Sequence, residues 1–541
     1  MFFIKKKLPR PHAPGEPLLY PDHKVPVTRR ELLGAGLATT PALVIGPAWL
    51  AAALKPNKAN AALSADIQAL LGSTQCNVAI NSTGIPVICF DLAGGANLVG
   101  SEVIVGQKGG QANFLTTAGY GKMGVPGNMV PSAAGFTSST FGLLWHSDGA
   151  ILRGMLTKAT TPATAAGTNG AVICAMSQND TGQNPHNPMY GIAAAGARGK
   201  LLNLVGNQSS VSGGNSAAYM PNPLFQPSTI AVPADDVGLV STGGAPSDPV
   251  SVAVLESQAR ISGGSAPYAG TNSTGTEFTG MLAPPTGSQT GVSLYPGNAA
   301  QDAALKSQVR CAYAQSAYTA DAFGNPAALD PTQDPLIIGG GTPIFTASDF
   351  SDGDIQKTAS VMKLVCNGYA AAGTITLGGY DYHDSTRATG ETKNFKAGQM
   401  IGAVLEYAQR VGTPLMVYVF SDGSLSSSSM VDTSAAGRDK LAWQGDNQSV
   451  ASTFFLAYSP KGRPQPLNGA ASQQIGYFTA DGSVDPSSSP AANSVMQIPE
   501  VMILNYLGLM GQAGQFSTLF PQQGLGAASS QAAMTAFAPI V

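Results

Sequence analysis

At 541 residues the chain is long enough for one large or two ordinary domains with substantial cores, which excludes a small disulfide-stapled scaffold. It is 43% hydrophobic yet only 11% charged, less than half the usual share for soluble domains, and Gly, Ala, Ser, Thr and Asn make up the difference, a balance that fits secreted or surface proteins. Residues 1–61 hold nine of the 28 Lys and Arg and three of the 31 Asp and Glu, leaving 19 against 28 beyond them, a net charge of −9 that argues against nucleic acid or an anionic membrane surface as partner.

Arg29 and Arg30 precede an uncharged, moderately apolar run over residues 32–54, and Ala59, Asn60 and Ala61 form a small-x-small site. The pattern reads as a twin-arginine export signal cleaved after Ala61, leaving residues 62–541 as one domain in the periplasm or at the cell surface. The run is also long enough for an uncleaved anchor, but two prolines and three glycines weaken that alternative, and no later segment is a spanning candidate. No stable membrane insertion is therefore expected once the signal is removed.

Five cysteines, Cys76, Cys89, Cys174, Cys311 and Cys366, show no clustered ligand spacing, and an odd number cannot all pair internally. Cys89 and Cys174 lie in apolar runs and read as buried free thiols.

Along the chain, "SADIQALLG" is a short helical lead, and "IPVICFD" (85–91) is a strand apolar on both faces, as in the middle of a helix-covered sheet. "NGAVICAMSQND" (169–180) is a second buried strand with its loop. Residues 202–297, dominated by Gly, Ser, Thr, Pro and Asn with one helical interlude (248–263), read as a long irregular or short antiparallel insertion over one sheet edge. Helical spacing follows in 298–323 and 351–371. "GTITLGGYDYHD" is then a strand with its exit loop, "KNFKAGQMIGAVLEYAQRVG" an amphipathic helix, "TPLMVYVFSDGS" and "ASTFFLAYS" strands, and "IPEVMILNYLGLMG" a closing helix before a loosely packed tail. Strand and helix alternate at intervals that predict right-handed crossovers and an α/β fold, a mostly parallel central sheet sandwiched by helices.

Three strands run into acids. Asp91 ends "VICF", Asp381 and His383 follow "TITLGGY", and Asp422 follows "LMVYVFS", so four oxygen or nitrogen donors are expected at the carboxyl rim where open parallel sheets bind ligands. Asp381 and His383, two apart, face one side of an extended segment. An aspartate just past a strand is also a common turn former or helix cap.

With its twin-arginine start, "FDLAGGAN", "FGLLWHSDGAILRGM", "GGYDYHD" and "VFSDGS", the chain resembles the twin-arginine-exported proteins of the alkaline phosphatase and sulfatase superfamily. The likeness covers most of residues 62–541 in order; only "GGYDYHD" is fairly specific. It implies an alkaline-phosphatase-like α/β/α sandwich with metal above the sheet and ester hydrolysis as ancestral chemistry. Asp91 or Asn97 would match the first metal aspartate, Asp381 and His383 the second ligand pair, and Asp422 the aspartate of a later Asp-His motif.

The chain departs from that pattern: Asp422 is followed by Gly423 and Ser424, Asp446 and Asn447 stand where related exported proteins show Asp-His, and no histidine follows His383. Losing imidazoles removes the donors of a dinuclear site, leaving at most one ion held by carboxylates, which suits Ca²⁺ or Mg²⁺ better than Zn²⁺. For a nucleophile at a helix start, "TSST" offers Thr137, Ser138, Ser139 and Thr140, with an ordinary helix cap as the preferred reading. His146 reads as a core histidine; His186, between two prolines, reads as surface-facing and able to line a pocket.

Two functions follow. One is a catalytically weak or silent envelope protein with a structural or binding role, supported by the lost imidazoles and by the serine tract of residues 421–437 in place of a ligand-bearing loop. The other is a metal-dependent periplasmic hydrolase of phosphate or sulfate esters using Asp91, Asp381, His383 and Asp422. Partners are expected to be envelope proteins or a small anionic ester, with no cofactor beyond one divalent ion.

Overall fold

The computed structural model describes residues 63–71, 84–177, 227–239 and 326–541, most of 186–206, the short strands Tyr268–Thr271 and Glu277–Gly280, and scattered positions from 310 to 318. The segment 1–61 read as an export signal, most of the 202–297 region read as an insertion, and Cys76 lie outside these residues.

In chain order the main elements are α1 (Ala65–Leu71), β1 (Val87–Ala93), α2 (Ala150–Lys158), β2 (Thr168–Cys174), α3 (Met189–Ala194), β3 (Leu202–Val205), α4 (Gly353–Cys366), β4 (Ala370–Gly378), α5 (Ala388–Val411), β5 (Leu415–Ser421), β6 (Leu425–Asp432), β7 (Lys440–Asp446), β8 (Ser452–Tyr458), β9 (Gln474–Ile475) and α6 (Ile498–Leu509). Seven strands form one sheet in the order β9-β2-β8-β5-β1-β4-β3, packed by helices, which is the α/β architecture expected.

Six strands run the same way, and β8 is antiparallel to both neighbours. The exception follows from the connection. β5 leaves the sheet at the rim, the β6–β7 hairpin is built there, and the chain re-enters at the same rim, so β8 must run backwards.

Alternation along β1 divides the core. Ile88, Phe90 and Leu92 join one apolar cluster with α2, α4 and α5, while Val87 and Cys89 join another with α3 and α6. Central strands buried on both faces explain the unbroken apolar runs in the sequence; each such Val, Leu, Ile or Phe contributes roughly 1.5–3 kcal/mol of burial.

Four sequence expectations change. The segment 202–205 lies at the sheet edge as β3, paired in parallel with β4, and is no part of an irregular region. The serine tract forms β6, paired antiparallel with β7. The tail is packed, with Leu525, Met534, Ala536 and Phe537 buried against the α6 cluster, and the main chain of residue 538 donates to Gln465. Thr137 and Ser138 pair with Trp145 and His146 in a two-residue ladder, so "TSST" starts no helix and supplies no cap. In that ladder backbone pairing takes the donors and acceptors a helix would have used.

Cys89, Cys174 and Cys366 are buried and free, and Cys311 is disulfide-bonded.

Candidate functional site

β5, β1 and β4 are adjacent in the sheet and parallel, so their carboxyl ends share one rim. Asp91 is the fifth residue of β1, level with Thr376 and Phe420, and Thr376 Oγ1 donates to its Oδ2 at 3.2 Å. By alternation it points to the α3/α6 side, and it is fully buried. Asp422, one residue beyond β5, is also fully buried.

Asp381 and His383 differ. Gly94, at φ +144°, lets the exit ribbon of β4 cross the end of β1: Tyr380 N donates to Ala93 O at 3.0 Å, and a Cβ on Gly94 would lie 2.3 Å from Asp381 N. The ribbon then alternates as an extended chain should. Tyr380 and Tyr382 are buried, and Asp381 and His383 are 44% and 42% exposed, with His383 Nε2 2.8 Å from Asp381 Oδ1.

The third donor beside them, and the second carboxylate, is Asp446, at the end of β7. One donor atom from each of Asp381, His383 and Asp446 lies within 4.8 Å of the others, and all three residues are exposed. Among the described residues this is the one such group of three or more His, Cys, Asp or Glu, and neither Asp91 nor Asp422 belongs to it. One imidazole and two carboxylates can hold a divalent ion, the carboxylates suiting Ca²⁺ or Mg²⁺ and the imidazole admitting Zn²⁺. Exposed acidic groups also occur commonly without an ion.

Behind the ribbon lies a buried polar network that the sequence reading missed. Tyr382 Oη donates to Asn394 Oδ1 at 3.0 Å and accepts from Asn97 N at 3.1 Å; Asn97 Nδ2 donates to Leu425 O at 3.1 Å and to Ser424 Oγ at 3.3 Å. Asn97, weighed as a first metal aspartate equivalent, is thus held in hydrogen bonds to the neighbouring loops. Asn394 Nδ2 donates to Glu102 Oε1 at 2.9 Å, and Glu102 Oε2 accepts from Ile151 N at 2.8 Å, closing the start of α2.

Charges flank it. Glu391 Oε1 accepts from Lys440 Nζ at 2.8 Å and Arg387 Nε at 3.0 Å, and Arg387 lies over the Trp443 ring at 4.3 Å. Burial would raise the Glu391 carboxyl, but Arg387 and Lys440 hold it below the usual range. Burial, reinforced by Glu391, pushes Glu102 up to about 7. Asp148, held by Arg438 and Lys440, falls to about 2 in spite of its burial. A sequence signal existed: Glu391 and Asn394 fall on the same helical stripe as the buried Ala397, Ile401 and Leu405, where apolar residues belong.

The histidines divide. His146 is buried as expected, its Nε2 2.9 Å from Met129 O and its Nδ1 accepting from Asp148 N, and burial lowers it to about 4. His186 is also buried, stacked on Phe420 and 3.4 Å from Ser177 Oγ, which corrects the surface-facing expectation. Asn187 explains this: its side chain bonds Thr374 of β4 and pulls the loop onto the sheet.

No helix among the described residues is long and apolar enough to cross a membrane. Compared with known proteins, the chain matches no family model, no curated protein and no solved structure.

Proposed function

We propose that this chain is an exported, alkaline-phosphatase-like protein that is silent as a dinuclear ester hydrolase and has a binding or structural role in the envelope, with one divalent cation held at the strand-end rim by Asp381, His383 and Asp446. The observation that carries this reading is the separation of donors: Asp91 and Asp422 are buried, whereas Asp381, His383 and Asp446 form an exposed group of their own. A dinuclear site needs several donors converging on two ions, and a single imidazole beside two carboxylates supplies one ion's worth. The hydrolase reading draws its support from the same group, since an ion held there could polarise a phosphoryl or sulfuryl oxygen.

Titration of residues 62–541 with Ca²⁺, Mg²⁺ and Zn²⁺ by calorimetry tests the proposal. One ion per chain is expected, lost in both Asp381→Ala and Asp446→Ala and kept in Asp422→Asn. Binding of two ions, or turnover of aryl phosphate or sulfate esters that disappears with Asp381→Ala, would replace it by the hydrolase.

A further inference from the structure

We propose that Glu102 is a positioning residue for the Asp381, His383 and Asp446 group, holding the ribbon between them through Asn394 and Tyr382, so that one proton on a buried carboxyl sets the affinity of the rim for a divalent cation. This rests on the cation reading above and adds its regulation.

The relay is short and directional. Glu102 accepts from Asn394 Nδ2 and from the main chain of Ile151, which uses both carboxylate oxygens as acceptors. Asn394 is thereby turned with Oδ1 toward Tyr382, whose hydroxyl donates to it. Tyr382 sits between Asp381 and His383 in the chain and is buried while they are exposed, so its anchoring fixes the direction in which both ligands point.

A proton on Glu102 breaks this order. With Oε2 kept as acceptor for Ile151 N, the proton sits on Oε1, which becomes a donor; the Asn394 amide turns to accept from it, gives up its 3.4 Å bond to Asn97 O, and its NH₂ then meets the Tyr382 hydroxyl. That hydroxyl already accepts from Asn97 N, so its own hydrogen loses its acceptor, and the ribbon loses its anchor.

The surroundings bring this change close to neutrality. Glu391 faces Glu102 from the start of α5, Lys440 from β7 and Tyr382 from the β4 exit; behind them Arg387 and, from α2, Arg153 pair with Glu391, Asp148 pairs with Lys440, and His146 lies near Lys440 and Asp148. Complete burial, and then the Glu391 charge beside it, favour the neutral form of Glu102, and Lys440 with the Asn394 and Ile151 hydrogen bonds opposes them.

The test measures Ca²⁺ affinity from about pH 5.5 to about pH 8.5 in the full chain and in Glu102→Gln and takes the ratio of the two at each pH, so that effects common to both cancel. With Glu102 intact, affinity should rise roughly tenfold across that range, as one linked proton allows. Glu102→Gln should lack that roughly tenfold rise and stay, relative to the full chain, at the low-pH level. Should that variant not fold, Tyr382→Phe carries the same test, since it cuts the relay while leaving Glu102 in place. A profile in either variant that still follows the unmodified chain would overturn the proposal.

If the full chain binds no Ca²⁺, the cation reading falls, and the relay is then read from Trp443, whose ring lies 6.0 Å from Tyr382. A pH-dependent step in the emission component lost in Trp443→Phe, present with Glu102 and absent in Glu102→Gln, would support the relay; no such step would sink it.

Discussion

Single residues at the rim show how little freedom the local chain has. Gly94 combines a φ of +144° with backbone atoms of Tyr380 and Asp381 within 2.6 Å of where a Cβ would stand. Gly94→Ala is therefore expected to cost about 2 kcal/mol or more, through backbone strain and a clash that cannot relax by rotating a side chain, measurable as a lower urea midpoint. Asp432 acts at a distance: its Oδ2 accepts from Arg387 N at 2.7 Å and Ala388 N at 3.1 Å, closing the start of α5 from another strand. Asp432→Ala should lower stability by about 1 kcal/mol, the size of a lost helix cap, whereas Asp432→Asn should lose less. The alternation of Tyr380, Asp381, Tyr382 and His383 was legible from spacing two. The partner of Asp381 and His383 was not, because Asp446 lies more than sixty residues on and reaches them only once the β6–β7 hairpin stands on the rim.

Among elements, the contact of α2 with α5 carries the rim. Their backbones approach through glycines: a Cβ on Gly398 would lie 2.1 Å from Ile151 O, and one on Gly402 2.5 Å from Met155 O. Gly398→Ala must push the helices apart, and a loss of about 1–3 kcal/mol is expected. Because Glu102 closes the start of α2 and binds Asn394 on α5, the same change should also move the Trp443 emission, which an effect confined to the far end of the helices would leave alone. Of the two helices α5 was legible in the sequence from its periodicity, whereas α2 was not read as a helix, and their pairing was hidden because a glycine on a helix face reads the same whether it meets solvent or a second backbone. The serine tract misled for a related reason. Composition gave it to a loop, and pairing with the Lys440–Asp446 strand made it β6.

For the whole molecule, buried titratable groups pull stability in opposite directions with pH. Burial lowers His146 and His186 to about 4, so their contribution is intact above their unfolded value near 6.5 and is lost as pH falls through 4. Glu102 and Asp236 are raised, to about 7 and about 8, chiefly by burial; the native chain holds their protons more tightly, and their contribution fades as pH rises from about 4 toward those values. The two sets oppose each other between about pH 4.5 and 6.5, and only the acids act above that. Stability should therefore fall from pH 6 to pH 8, and Asp236→Asn, which keeps shape and removes the charge, should flatten the slope and raise stability at pH 8 by about 1–3 kcal/mol in urea unfolding. Asp236 suits this test because it is fully buried beside α4, far in sequence from every rim ligand.

The amino-acid sequence by itself determined the α/β class, the central strands, the long helices, the buried thiols of Cys89 and Cys174, and the acids at strand ends, because each is written in local periodicity and burial preference. Only the tertiary structure decided which acids meet. The sheet buries Asp91, and Asp422 is buried at its rim, while a hairpin brings Asp446 to Asp381 and His383; Glu102, Asn394 and Tyr382, far apart in the chain, close into one network. Local sequence sets the direction a side chain takes from its own backbone, but the neighbour it finds there is fixed by chain reversal and packing between distant segments.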